Sequence, residues 1–422
     1  MTRRAAFGLL AVCVGMGCGH PLAEDPEARA ARVHREAIVV DTHADTTPRF
    51  QDPAFDFAAR HDKSDVRIDL PRAREGGLDV QFWSIWVGNV QGDGRAIREA
   101  MERIDAVWEL ARRYPDQIVV ATDVAGIRRG VAEGKLVSLM GVEGGHMIEE
   151  KLSVLRDFYR LGVRYMTLTH SFHISWADSA GTGQPLPPGH GGLTPFGVEV
   201  VHEMNRLGMM VDVSHVSDQT FWDALKASQA PVIASHSSCR AVFDHPRNLT
   251  DDMLRALAAK GGVVMINYYP GYTDPDAAVK IADWFTRHGA ELAALRDSSG
   301  GDFRKLGDGM KQIAAKDPVP QGSLEKLLDH FDHALRVAGE DHVGLGSDFD
   351  GVVSFPVGLD EVNLLPNITK GLLRRGWSEA VVTKVLGENL LRTMREVELE
   401  AERERERGSD VRPEPAAPPS PQ

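Results

Sequence analysis

The fold of this protein is decided by the stretch Ala37-Ile38-Val39-Val40-Asp41-Thr42-His43-Ala44-Asp45. Its β-branched run from Ile38 to Val40 predicts a buried strand, and polar residues begin where that strand should end. His43 and Asp45 lie two positions apart, so on an extended backbone both side chains point the same way. An imidazole and a carboxylate at the carboxyl end of a strand can form half of a divalent metal site. Such pairs are also common on surfaces, so the interpretation depends on how the other strands end.

Further apolar segments predict more strands, separated by stretches with helical periodicity. They cover residues 78–86, 135–142, 163–168, 209–215, 231–236, 263–267 and 342–348. Strands that alternate with helices in this way are typical of the α/β class and, with eight strands, of the (β/α)8 TIM barrel. We therefore predict one barrel domain over residues 37–395, with a polar, mostly helical insertion over 274–320, before the last strand.

Most of the predicted strands end in residues that can bind metals or transfer protons. These residues are His43 with Asp45, Glu143, His170, His215, His236 and Asp348. In a (β/α)8 barrel the carboxyl ends of all strands meet at one face, which carries the active site. Any one of these histidines could be a buried structural residue, but structural residues would not all fall at the same end of their strands. The pattern therefore predicts a single catalytic metal site.

The composition is that of a globular protein and argues against some functions. The chain has 422 residues, of which 42% are hydrophobic and 26% are charged, as in ordinary soluble domains. Its formal net charge of −13 argues against a nucleic-acid-binding surface. Its cysteines are Cys13, Cys18 and Cys239, which provide no disulfide framework. A core or a metal site must therefore stabilise the fold.

The first residues have the layout of an export signal. Two arginines precede an apolar run, Ala5–Val14, and Gly17-Cys18 follows. We predict a signal peptide over residues 1–17 and a polar linker over residues 18–36. The small residue before Cys18 resembles a bacterial lipoprotein cleavage site, at which Cys18 becomes the lipidated first residue. The expected location is the bacterial envelope, in the periplasm or at the outer membrane, with membrane contact only through this lipid anchor.

The end of the chain is predicted to be a tail over residues 396–422. Residues 396–407 alternate in charge, which predicts a solvated helical extension. The proline-rich sequence from Pro413 onward cannot bury a core and predicts disorder.

Several motifs occur in order along the chain and resemble one known family. They are Asp41-Thr42-His43-Ala44-Asp45, Gly141-Val142-Glu143-Gly144-Gly145-His146, Leu168-Thr169-His170, Trp176-Ala177-Asp178, Ser235-His236-Ser237-Ser238 and Gly346-Ser347-Asp348-Phe349-Asp350-Gly351. Together they resemble the membrane (renal) dipeptidase family, which are zinc peptidases of the amidohydrolase superfamily. The resemblance covers Ile38 to Met394 and leaves out the signal region and the tail.

The resemblance implies a site with two zinc ions. His43 and Asp45 would hold one ion, His215 and His236 would hold the other, and Glu143 would bridge them. The residue types agree, because three imidazoles and two carboxylates suit Zn²⁺, and a bridging carboxylate suits metals about 3.5–4 Å apart. A metal-bridging hydroxide would then hydrolyse the peptide bond of dipeptides, both L,L and some L,D.

The resemblance also implies roles for residues that are not metal ligands. Asp348 would orient the attacking water and carry its proton to the leaving amine, and His170 would stabilise the oxyanion. Arg247 would bind the terminal carboxylate of the substrate, although the sequence is equally compatible with an exposed loop arginine. Tyr269 and Tyr272 could line the same pocket or pack in the core.

Other functions fit parts of the same pattern. Another binuclear amidohydrolase, such as a lactonase or an N-acyl-amino-acid hydrolase, could use the same metal pair. Arg247 argues weakly against this alternative, because an arginine there calls for a free carboxylate on the substrate. A non-catalytic binding lipoprotein would not need a complete set of metal ligands and proton-transfer residues. The sequence is compatible with a homodimer but does not determine the oligomeric state.

Overall fold

The computed structural model describes residues 24–89, 92–184, 186–300 and 303–410. The predicted signal peptide, Cys18 and the proline-rich end of the tail lie outside these residues. The described part of the chain contains strands β1 (Val40–Ala44), β2 (Val80–Ile85), β3 (Ile118–Val120), β4 (Leu136–Glu143), β5 (Val163–Thr167), β6 (Met210–Asp212), β7 (Val232–Ser237), β8 (Val263–Ile266), β9 (Gly322–Ser323), β10 (Val343–Leu345) and β11 (Pro356–Val357).

Eight of the described strands close into a barrel. Their order around it is β1, β2, β4, β5, β6, β7, β8 and β10, and β10 pairs with β1 to complete the ring. All of these neighbours are parallel, so the carboxyl ends of the strands share one face. The predicted (β/α)8 barrel and its eight strand segments are confirmed.

Strand β3 was not predicted from the sequence. It pairs in parallel with residues 136–138 of β4, before the point at which residues 140–143 of β4 pair with β5. Three residues are too few to show a period in the sequence. The short strands β9 and β11 pair only with each other.

The core has two layers because the strands are buried on both faces. Along β4, Val137 and Leu139 belong to one cluster of buried apolar residues, whereas Leu136 and Met140 belong to the other. The larger cluster lies between the strands and the surrounding helices. The smaller one fills the barrel interior and includes Val80, Tyr165, Met210, Ile233 and Val263 from strands around the ring, together with Leu390, Leu391, Met394 and Val397.

The helices surround the barrel and close its amino-terminal end. They are α1 (Pro26–Glu36), α2 (Thr47–Phe50), α3 (Leu70–Glu75), α4 (Arg95–Arg113), α5 (Val124–Ala132), α6 (Leu152–Arg160), α7 (Pro195–Leu207), α8 (Asp218–Ala227), α9 (Asp251–Ala259), α10 (Pro270–Thr273), α11 (Pro275–Arg287), α12 (Gly289–Ser299), α13 (Phe303–Lys316), α14 (Leu324–Val337), α15 (Pro366–Arg374), α16 (Glu379–Thr383) and α17 (Asn389–Asp410). Helices α11 to α13 form the predicted insertion. Among the described residues, no helix has the length and hydropathy needed to cross a bilayer.

Local sequence explains where many of these helices begin. A side-chain oxygen before the first turn accepts a hydrogen bond from a backbone N–H three residues later, which satisfies one of the free donors of that turn. The residues that do this are Asp69, Asp123, Thr194, Ser217, Thr250 and Ser378.

The structure differs from the predicted domain boundaries at both ends. The predicted linker contains α1, which begins after the capping residue Asp25 with Pro26 in its first position, a favourable start for a helix. Val33 and His34 of α1 are buried, and His34 Nδ1 lies 2.8 Å from Thr369 Oγ1 of α15. At the other end, α17 runs unbroken through residue 396 and buries Val397 and Ala401. The buried faces of α1 and of the part of α17 beyond residue 396 have few large apolar residues, so the sequence shows no clear helical period there.

Candidate metal centre and active site

The predicted site residues meet at the carboxyl face of the barrel. His43 lies in β1 and is followed by Asp45, Glu143 ends β4, His236 lies in β7, and His170, His215 and Asp348 follow β5, β6 and β10. Three overlapping groups have their potential ligand atoms within 4.8 Å of one another: His43, Glu143 and His236; Glu143, His170 and His215; and His43, Asp45 and Asp348. One compact cluster therefore contains every predicted metal ligand.

The Glu143 carboxylate lies between two sets of side chains. Its Oε1 lies 3.0 Å from Nε2 of His215 and 3.4 Å from Nε2 of His236. Its Oε2 lies 3.4 Å from Nε2 of His43. Asp45 Oδ2 lies 3.4 Å from the same His43 nitrogen. The two oxygens of Glu143 can therefore serve two metal positions, one beside His43 and Asp45 and the other beside His215 and His236.

His43 is held with its Nε2 directed at the cluster. Its Nδ1 lies 2.9 Å from the hydroxyl of Tyr165, and that hydroxyl donates its hydrogen to the Thr42 carbonyl at 3.0 Å. In the neutral imidazole the proton must therefore be on Nδ1, and the lone pair is on Nε2. Tyr165 can reach His43 only because residue 141 is glycine, since a Cβ at Gly141 would collide with the tyrosine ring. No sequence pattern indicates this role, because Tyr165 lies inside an apolar strand.

His236 is oriented by a similar chain of hydrogen bonds. Ser235 Oγ donates to Asp212 Oδ2 at 2.6 Å and lies 2.8 Å from His236 Nδ1. Because the serine hydrogen is used by Asp212, His236 Nδ1 must donate to the serine oxygen, and its Nε2 carries a lone pair. The sequence placed Ser235 directly before His236, but its partner Asp212 comes from another strand and could not be identified.

The electrostatic surroundings of the cluster fit divalent metal ions. Burial lowers the pKa of His215 and His236 well below the ordinary value of 6.5, so both imidazoles are in the neutral form that binds metals. Burial opposes a charge on His43, but Tyr165, Glu143 and Asp45 outweigh it and raise the pKa of His43 well above its ordinary value. No described side chain forms a hydrogen bond with His43 Nε2. A bound cation would satisfy both this nitrogen and the carboxylates around it.

Two residues of the site have backbone angles that L-amino acids rarely adopt. The φ angle is 68° at His215 and 62° at Asp348, in the left-handed region that usually favours glycine. The His215 carbonyl accepts hydrogen bonds from Ala180 N at 2.8 Å and from Thr169 Oγ1 at 3.1 Å. The Asp348 N–H donates to the His43 carbonyl at 3.0 Å. These bonds hold two strained strand ends in conformations that turn their side chains into the site.

Asp348 has the properties of a proton-transfer group. Burial, with smaller contributions from the Asp45 and Glu143 charges, raises the pKa of Asp348 to about 7. Its Oδ2 accepts a hydrogen bond from Asn267 Nδ2 at 2.9 Å. Gly351 lies so close to Asp348 and Asp45 that a Cβ there would collide with both carboxylates. The sequence places Asn267 at the end of the seventh strand. That position, at the carboxyl face of the barrel, is its only sequence indication of a role in the site.

His170 lies beside the cluster. Its Nε2 is 3.6 Å from Glu143 Oε1, and its ring centre is 5.4 Å from that of Trp86. Burial lowers the pKa of His170 to about 4, so the imidazole is neutral near pH 7. A neutral imidazole can donate an N–H group to an oxyanion without adding a charge to the site.

Arg247 is buried rather than exposed on a loop. It is 3% exposed, its Nη2 donates to the His236 carbonyl at 3.3 Å, and its guanidinium carbon lies 5.4 Å from the ring centre of Tyr272. Among the described residues, no hydrogen-bond partner is found for its Nε. A buried guanidinium with an unused donor is suited to bind a carboxylate.

A cavity of about 360 Å³ opens beside these groups, within the range of small-molecule sites. Its lining includes Asp45, Glu143, His170, His215, Arg247, Tyr272 and Asp348. Tyr269 is not part of this lining and packs edge-on against Tyr272, with ring centres 4.8 Å apart. Of the two predicted pocket tyrosines, Tyr272 therefore faces the cavity, whereas Tyr269 packs against the ring of Tyr272.

Solved structures of dipeptidases have the same fold. The probable dipeptidase PvdM from Pseudomonas aeruginosa is 25% identical, with a TM-score of 0.75 over 89% of this chain and 99% of that chain. A metallo peptidase from Rhodobacter sphaeroides, liganded with a phosphinate mimic of the dipeptide L-Ala-D-Ala, is 25% identical, with a TM-score of 0.69 over 86% of this chain and 100% of that chain. A dipeptidase of peptidase family M19 is 26% identical, with a TM-score of 0.68 over 86% of this chain and 98% of that chain.

A family model matches nearly the whole of the described chain. This model, membrane dipeptidase (peptidase family M19), matches residues 27–408. The match agrees with the resemblance carried by the sequence motifs and with the metal-binding side chains gathered at the carboxyl face of the barrel. The chain therefore belongs to the membrane dipeptidase family and is a metal-dependent hydrolase of dipeptides.

Proposed function

We propose that this enzyme hydrolyses dipeptides at a pair of zinc ions. His43 and Asp45 would hold one ion, His215 and His236 would hold the other, and Glu143 would contribute a carboxylate oxygen to each. The observation that carries the proposal is the Glu143 carboxylate, whose Oε2 faces His43 and whose Oε1 faces His215 and His236. Imidazole and carboxylate donors suit zinc. When bound, such a pair supplies a water of lowered pKa and polarises the carbonyl under attack.

Side chains that are not metal ligands bind the substrate, transfer the proton and stabilise the oxyanion. Arg247 binds the terminal carboxylate of the dipeptide and thereby positions its peptide bond. Asp348 accepts a proton from the attacking water at Oδ1, the oxygen that Asn267 does not use, and delivers it to the leaving amine. A pKa of about 7 suits a group that must both take up and release a proton near neutral pH. His170 donates a hydrogen bond to the oxyanion.

We propose that the substrates are L,L dipeptides and some L,D dipeptides. The Arg247 guanidinium lies at a fixed distance from the metal ligands and should therefore select substrates by length. A dipeptide places its single peptide bond next to its carboxylate, whereas the first peptide bond of a tripeptide lies one residue farther away. The similarity to a Rhodobacter sphaeroides enzyme liganded with a mimic of L-Ala-D-Ala supports tolerance for a D-residue in the second position.

The proposal is tested by comparing four substrates with the zinc-loaded enzyme: L-Ala-L-Ala, L-Ala-D-Ala, the C-terminal amide of L-Ala-L-Ala, and L-Ala-L-Ala-L-Ala. We expect hydrolysis of both dipeptides and little hydrolysis of the amide or the tripeptide. Equal kcat/KM for the dipeptide and its amide would contradict the carboxylate anchor and would favour a different amidohydrolase activity.

We also propose that the enzyme works in the bacterial envelope, anchored by a lipid at Cys18. The support is the arrangement of Ala5–Val14 before Gly17-Cys18, since acyl chains on a cysteine would retain the protein at a membrane. Replacing Cys18→Ser should release the protein from the membrane fraction. A wild-type protein with an unmodified N-terminus in the soluble fraction would contradict the anchor.

A further inference from the structure

Helix α13 of the insertion forms part of the wall of the active-site cavity. Leu306, Gly307 and Met310 line the cavity together with the metal-site residues. Other apolar lining residues are Pro48 of α2, Val352, which follows β10, and Trp86, which follows β2 and lies beside His170. We refer to Pro48, Leu306, Met310 and Val352 as the apolar side of the cavity, and the insertion supplies two of these four residues.

Helix α13 is held in this position from two directions. A Cβ at Gly309 would collide with Leu295, so the glycine lets α13 pack closely on α12. On its other side, α13 contacts α2. Lys311 Nζ lies 2.9 Å from Asp65 Oδ1, and Arg49 Nη2 of α2 lies 2.9 Å from Asp65 Oδ2. These contacts join the insertion to the segment that follows β1.

The apolar side lies across the barrel from the carboxylate anchor. Arg247 is in the segment after β7, whereas α2 follows β1. In the strand order β1, β10, β8, β7, two strands lie between these segments, so the segments start three positions apart on the eight-strand ring. A dipeptide with its carboxylate at Arg247 and its peptide bond at the metal ligands would therefore direct its amino-terminal residue towards α2 and α13.

We infer that Leu306 and Met310 form the subsite for the side chain of the substrate's amino-terminal residue. The preferred substrates are then dipeptides whose first residue is apolar and larger than alanine. The inference rests on the proposed anchoring of the substrate by Arg247. Acidic first residues are disfavoured, because Leu306 and Met310 provide no partner for a charged side chain and Asp45, Asp348 and Asp350 also line the cavity.

The test uses two series of dipeptides, X-Ala and Ala-X, in which X is Gly, Ala, Leu, Phe or Asp. Wild-type enzyme should show a higher kcat/KM for Leu-Ala than for Gly-Ala. Leu306→Ala and Met310→Ala should each lower kcat/KM for Leu-Ala about tenfold, the size expected for losing apolar contacts in a pocket. Their effect on Gly-Ala and on the Ala-X series should be small. Val279→Ala is the control, because Val279 lies in α11 of the same insertion and is 71% exposed.

A second variant keeps the test decisive if the truncations impair folding. Met310→Glu should lower kcat/KM for Leu-Ala and raise the ratio of Lys-Ala to Leu-Ala, with the thermal midpoint measured in parallel. An equal change for Gly-Ala and Leu-Ala, or a change in the Ala-X series instead, would overturn the inference. Failure of the carboxylate anchor would be recognised separately, by wild-type hydrolysis of C-terminal amides.

Discussion

The hydroxyl oxygen of Tyr165 lies 2.9 Å from Nδ1 of His43 and donates its own hydrogen to the Thr42 carbonyl. This pair of hydrogen bonds determines which nitrogen of His43 is free. Partners of this kind fix the ring orientation of metal-binding histidines and increase their affinity for the metal. Tyr165 is thus a positioning residue for one half of the proposed metal pair.

Replacing Tyr165→Phe should weaken metal binding at the His43 position. Loss of such a partner typically costs about 10–100-fold in metal affinity, so we expect one metal equivalent to be removed at a lower chelator concentration than in wild type. Tyr268→Phe is the matched control, since the described residues provide no hydrogen-bond partner for the buried Tyr268 hydroxyl. Identical chelator titrations for Tyr165→Phe and wild type would show that the hydroxyl does not support the site.

Replacing Asp348→Asn should reduce kcat while metal content stays near normal. An amide cannot take up and deliver the proton, and general acid–base catalysis typically contributes about 10²–10⁴-fold. Asp350→Asn is the control, because Asp350 already accepts hydrogen bonds from Thr46 Oγ1 and from Arg67 N. A near-normal kcat in Asp348→Asn would place the proton transfer elsewhere, and a loss of metal would identify Asp348 as a ligand.

Replacing Arg247→Ala should raise KM for dipeptides much more than it lowers kcat. Removing one partner of a buried charge pair costs about 2–5 kcal/mol. Arg255→Ala is the control, because Arg255 is an exposed arginine of α9 that pairs with Asp252 at 3.0 Å. We expect the Arg247 variant, unlike wild type, to discriminate little between a dipeptide and its amide. Unchanged KM in this variant would show that the terminal carboxylate binds elsewhere.

His330 should make the stability of the protein depend on pH. Its Nδ1 accepts a hydrogen bond from Cys239 N at 3.0 Å, and burial lowers the pKa of His330 to about 4 from 6.5. The unfolded chain therefore binds more protons between these values, and the free energy of unfolding should fall as pH decreases from 6.5 to 4. The shift corresponds to about 3 kcal/mol at most.

This contribution can be isolated with His330→Gln, which does not titrate. Denaturant unfolding of both proteins, with chelator present throughout, should show a smaller loss of stability on acidification in the variant. Parallel stability curves between pH 7 and pH 4 would show that His330 does not carry this dependence.

The sequence predicted those parts of the structure that depend on local patterns of apolar and polar residues. Each barrel strand was a run of apolar residues ended by polar ones, so the barrel and the clustering of His43, Glu143 and His236 could be predicted. Tyr165 and Asp212 could not, because each lies within an apolar strand and acts on a histidine of a different strand. The position of α13 beside the cavity could not be predicted either, because it depends on tertiary packing of the insertion on α2.

If two metal ions share Glu143, the purified, zinc-replete protein should contain both, and elemental analysis measures their number. We expect close to two zinc ions per chain in wild type and a clear loss in Glu143→Ala, because the bridging carboxylate would serve both positions. One zinc ion or less per wild-type chain would contradict the two-metal site.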